Sequence, residues 1–86
     1  MRTSSSRGWR EDFFHVYDDV IVHDEEGAEL PNVEAARLNA IHAARDIIAE
    51  QVRHGHLVLS HWIDVVDDQG EAVMTVTFKD AVDIKP

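Results

Sequence analysis

The chain has 86 residues, 44% of them hydrophobic and 29% charged, with a formal charge of −9 and no cysteine. A chain this short buries only about 60% of the surface that its unfolded form exposes, so it supports one thin core, and disulfides or thiolate metal sites are excluded as its reinforcement. Three of the eight basic residues, Arg2, Arg7 and Arg10, fall in the first ten positions, which hold no acid; the rest of the chain sets five basic residues against 17 acidic ones, a balance that repels phosphate backbones and excludes direct nucleic-acid binding as an expectation.

Residues 1–12 are rich in Ser and Arg, contain Gly8 and lack a periodic apolar pattern, so they read as a flexible polar tail, with 13–86 forming a single domain. Trp9 is the tail's one large apolar residue, able to anchor it on the domain or on a partner. No apolar run nears the roughly 20 residues that cross a bilayer, and no apolar segment follows the arginines. Neither a membrane contact nor export is expected, and the absence of cysteine fits a cytoplasmic protein.

Phe13-Phe14-His15-Val16-Tyr17 has the aromatic and β-branched content of a strand, Asp18-Asp19 offers a turn, and Val20 to His23 continues as a second strand. The acidic turn Asp24-Glu25-Glu26-Gly27 follows, and it recurs as Asp67-Asp68-Gln69-Gly70. Aligned on their glycines, Val22 to Leu30 and Val65 to Val73 share Val-x-Asp-acid-x-Gly-x-x-aliphatic, the pattern of a hairpin turn with a left-handed glycine. Ala28 to Leu30 is a short strand extension that Pro31 ends, because proline cannot donate to a ladder.

Asn32 is an N-cap, Glu34 places a negative charge at the positive end of the helix dipole, and the helix runs to about His54. Its apolar stripe is Val33, Ala36, Ala40, Ala44, Ile47, Ile48 and Val52, with Ile41 beside it. The alanines let the helix sit close to a sheet, and Gly55 stops it. Leu57 to Leu59 reads as a connector or short strand, Trp62 to Val66 and Ala72 to Phe78 form the second hairpin, and Ala81 to Ile84 adds a last edge contact. The fold expected is α+β, ββαββ: an antiparallel sheet of about four strands with one amphipathic helix packed on one face.

Alternation turns Phe14, Val16, Ile63, Val65, Met74, Val76 and Phe78 toward the helix. The opposite face then carries Phe13, His15, Tyr17, Trp62, Asp64, Val66, Val73, Thr75 and Thr77. Within it Phe13, His15, Tyr17, Trp62, Asp64, Val73 and Thr75 are candidate partner-binding residues, since aromatic and hydroxyl side chains on a face with no second helix to cover it suit a protein contact or a homodimer interface.

Six histidines invite a metal reading through His54 with His56 or His15 with His23, but neither pair has a third ligand at a motif spacing. The acidic turns lack the alternating ligands and distant bidentate Glu of a calcium loop. With no cysteine, Ser4 to Ser6 in the tail, and Ser60 and His61 pointing to opposite faces, no nucleophile is assembled, so neither an enzyme nor a cofactor is expected.

Phe13-Phe14-His15-Val16 with Asp18, the run Asp24 to Pro31, Glu34-Ala35-Ala36 to Ala43-Ala44-Arg45, and Ile63-x-Val65 to Asp80-Ala81-Val82 together resemble the domain of unknown function 6894 family over about residues 13 to 84. The resemblance implies a small bacterial single-domain protein and brings no activity or site residue with it. Leu30 to Ala36 is also similar to the junction of proline turn and Glu-Ala helix in HicB-type antitoxins, without their glycine-bearing segment or an appended DNA-binding module. Three functions are therefore expected in order: a non-enzymatic, homodimerising or protein-docking domain; an antitoxin-like domain that captures a basic protein through Asp18, Asp19, Asp24, Glu25, Glu26, Asp67 and Asp68; and small-ligand or metal binding through His15, Tyr17 and His23.

Overall fold

The computed structural model describes residues 9–18 and 20–83. The segment 1–8, Asp19 and Ile84, which the sequence assigns to the tail, the first turn and the last edge contact, lie outside the described residues. The elements run β1 (Arg10–Tyr17), β2 (Ile21–Val22), β3 (Ala28–Leu30), α1 (Val33–Arg53), β4 (Trp62–Asp67), β5 (Ala72–Thr77) and α2 (Phe78–Ala81). They form an antiparallel sheet of five strands with helix on one side, the expected α+β class.

The strand order is β2-β1-β4-β5, and β3 also pairs with β1. Both β2 and β3 therefore lie along one edge of β1, with Tyr17 opposite Ile21 and Arg10 opposite Leu30. This corrects the expected repeat of two equivalent hairpins. The second acidic turn does join a hairpin, β4 to β5, whereas the first links two short pieces of one broken edge. Both turns nevertheless use one device. Asp24 Oδ1 accepts from the N–H groups of Glu26 and Gly27, and Asp67 Oδ1 from those of Gln69 and Glu71, while Gly27 and Gly70 take φ of 73° and 79°. A carboxylate that begins a turn satisfies backbone donors that no strand reaches.

The first strand begins at Arg10, inside the segment read as tail. Asp12 is fully buried, and the Arg10 guanidinium grips its carboxylate with N–H···O distances of 3.0 to 3.3 Å, so alternate charged residues here are a satisfied pair on the helix side of β1. A burial cost that would exclude a lone Asp is offset by the bidentate partner, and no apolar periodicity announces it.

Asn32 caps α1, its side chain accepting from Ala35 N–H at 2.8 Å. Ala36, Ala40, Ala44 and Ile48 are buried, with Gln51 as the fifth, while Val33 and Val52 of the expected stripe are 45% and 56% exposed. Helix geometry explains the substitution: each four-residue step turns the contact by about 40°, so a three-residue step from Ile48 to Gln51 brings it back over the sheet where Val52 would continue the drift. The buried Gln51 amide is used, its Oε1 accepting from Val58 N–H at 3.2 Å.

Across the seam, Ile63, Val65 and Val76 form the sheet's share of the core, joined by Phe78 and flanked by Phe14, Val16, Leu30 and Met74. Strand β5 ends one residue earlier than expected. Thr77 caps α2 by accepting from Asp80 N–H at 3.1 Å, and Phe78 enters the core from that short helix. Arg45 ties the two helices together through a 2.6 Å bond to the Ala81 carbonyl.

Candidate interaction face

Direct cross-strand partners share a face, so the register places Ile21, Tyr17, Trp62 and Thr77 in one row across four strands on the side away from α1. Tyr17 and Trp62 stack with ring centroids 5.2 Å apart and planes 6° from parallel. Trp62 stays 37% exposed and Ile21 56%, next to Val20 at 65%. The next row sets His15 opposite Asp64 and Asp64 opposite Thr75, whose hydroxyl donates to Asp64 Oδ1 at 2.8 Å.

The seven residues marked out by the sequence divide here. Tyr17 and Trp62 form the open aromatic centre, and Asp64 with Thr75 forms a hydrogen-bonded pair beside it. Phe13 and His15 point to the same side, but the β2–β3 loop packs on them. Gly27 lies against the Phe13 ring, Asp24 N–H donates to His15 Nδ1 at 3.0 Å, and the His15 and His23 rings meet edge to face at 4.9 Å. Val73 does not belong. A bulge opposite Val65 and Val66 inserts one residue into β5, so Val73 packs against the core and Ala72 takes its place opposite Val66. Ile21 was missed; its signal was its place in a β-branched segment one turn from Tyr17.

The outward positions of the described strands carry Glu11, Glu29 and Asp64 and no Lys or Arg. Burial works to raise the Asp24 carboxyl, but the N–H groups of Gly27, Phe14 and Glu26, with His15 nearby, outweigh it and hold Asp24 below its ordinary value. On the helix side, Asp18, Asp46, Ile47, Glu50, Gln51, His54 and His56 line a groove of 370 Å³. His54 Nε2 lies 2.8 Å from Glu50 Oε2, and Arg53 binds the other oxygen of that carboxylate at 2.8 Å. Among the described residues, no three His, Cys, Asp or Glu side chains converge as metal ligands, and no helix is long and apolar enough to cross a membrane.

A five-stranded antiparallel sheet under one long helix, with an aromatic centre on the side that no described helix covers, defines the class as a small α+β domain. The chain belongs to the family described as Domain of unknown function (DUF6894), whose model matches residues 13–79. No curated protein and no solved structure matches it.

Proposed function

We propose that this chain is a non-enzymatic protein-interaction domain whose contact surface is the uncovered sheet face around Tyr17 and Trp62. The carrying observation is the stacked Tyr17–Trp62 pair, with Trp62 37% exposed and the row continued by exposed Ile21. Tyrosine and tryptophan bury large rigid area at small entropic cost, which is why they anchor interfaces. Asp64, which accepts from the Thr75 hydroxyl, sets a carboxylate beside the aromatic pair and favours a partner with a basic rim.

Photo-crosslinking tests the assignment. A photoreactive aromatic residue at Thr77 should give protein adducts in the host cell, and the same residue at Leu38, exposed on α1, should not. Adducts at Thr77 should disappear when Tyr17→Ala is added. Equal yields at the two positions, or adducts indifferent to Tyr17, would remove the face from consideration.

A further inference from the structure

We propose that β5 is a self-pairing edge, so that a second copy of this chain adds its own β5 antiparallel to the first and the two sheets become continuous. Strand β5 hydrogen-bonds to β4 alone among the described strands. An open edge presents a row of free backbone donors and acceptors, which proteins normally blunt with charge, proline or brevity. The opposite edge of this sheet is blunted in those ways: β2 has two residues, β3 has three, an acidic turn separates them and Pro31 follows. Strand β5 has six residues, Ala72 to Thr77, with neither charge nor proline.

Charge at the two ends of β5 selects the occupant and its direction. Glu71 precedes the strand and Lys79 follows it, equally far from Thr75. The other described basic side chains are engaged: Arg10 on Asp12, Arg37 on Glu34, Arg53 on Glu50 and Arg45 on the Ala81 carbonyl. Neither Lys79 nor the Glu71 carboxylate has a partner among the described residues. An antiparallel copy related by a two-fold near Thr75 brings Glu71 of each copy toward the first turn of α2 of the other, where Lys79 stands, and the contact closes as a dimer. Parallel stacking would set like against like. Between those ends the strand itself is uncharged, and the groove along Met74, Thr75 and Val76 holds both signs, Arg37 and Asp80.

Sedimentation across micromolar to submillimolar concentrations tests the inference on the full chain. Wild type should dimerise. Glu71→Lys and Lys79→Glu should each weaken the dimer by on the order of tenfold, since each breaks two exposed pairs and creates repulsion, and the double reversal should recover the wild-type affinity. Thr75→Lys, whose new ammonium can reach Asp64 in its own chain, should be monomeric because two lysines meet at the axis. Trp62→Ala should remain dimeric, which separates this edge from the sheet face. A monomeric wild type, a double reversal no tighter than the single variants, or a dimer lost in Trp62→Ala and kept in Thr75→Lys would each overturn it; the charge-swap pair decides the matter even if Thr75→Lys fails to fold.

Discussion

Asp24 and His15 hold each other from both ends of one loop: Asp24 N–H donates to His15 Nδ1 at 3.0 Å, and the Asp24 carboxylate accepts from the N–H of Phe14, the neighbour of His15, at 3.1 Å. The pair fastens the β2–β3 loop across β1 and sets one border of the aromatic face. It also makes that border sensitive to acid.

A carboxyl whose folded pKa lies below its unfolded value stabilises the fold above the unfolded pKa, here an ordinary 3.8, and the contribution is lost as pH falls through the folded pKa. Stability in urea should therefore hold its Asp24 share at neutral pH and lose it below about pH 4. Glu34, lowered by its bond to Arg37, titrates in the same direction. Asp24→Asn isolates the loop, because its amide nitrogen cannot accept from Phe14. That variant should be about 1 to 3 kcal/mol less stable at neutral pH and show a shallower acid limb.

Glycine is needed differently in the β2–β3 loop and just after α1. A Cβ on Gly27, at φ +73°, would stand 2.9 Å from Phe13 Cε2 and 3.2 Å from Glu11 Cγ, whereas one on Gly55, at φ +88°, meets nothing within 4 Å. Gly55→Ala should cost about 1 to 2 kcal/mol of left-handed strain alone. Gly27→Ala should cost more, and thermal melts of the two variants give the comparison.

Phe78 is fully buried although it belongs to α2 and not to a strand. Phe78→Ala should destabilise by about 3 to 5 kcal/mol, a large share of what so small a domain possesses. Leu38→Ala, exposed on the same molecule, should change the denaturation midpoint little.

Gln51 closes the connector after α1 through Val58 N–H. Gln51→Ala should speed hydrogen exchange at Val58 while the amides of β4 remain protected. Unchanged exchange at Val58 would mean that the connector is held by its apolar residues.

Most of the architecture was legible because it rests on period. The cap at Asn32, the alanines four apart and the alternation Ile63, Val65 and Val76 each follow from one-dimensional spacing, and the structure places them as that spacing dictates. What spacing could not show depends on partners distant in sequence. The buried Asp12 is explained by Arg10 only once both lie on one side of β1, and the displaced Val73 only once a bulge appears opposite Val66. The aromatic centre was half legible: alternation put Tyr17 and Trp62 on one face, but their stacking and the addition of Ile21 required the register.

The alanine seam also bears on how α1 is kept from sliding. Ala36, Ala40 and Ala44 repeat every 6 Å or so along the axis, so a shift by one step would exchange methyl for methyl at little cost in contact. Axial position must then be indexed by features that do not repeat: Ile48 at the end of the stripe, the Gln51 bond to Val58, and Arg45 latched to the Ala81 carbonyl. The helix is registered like a ruler pinned at one end, and the pins all lie in its C-terminal half.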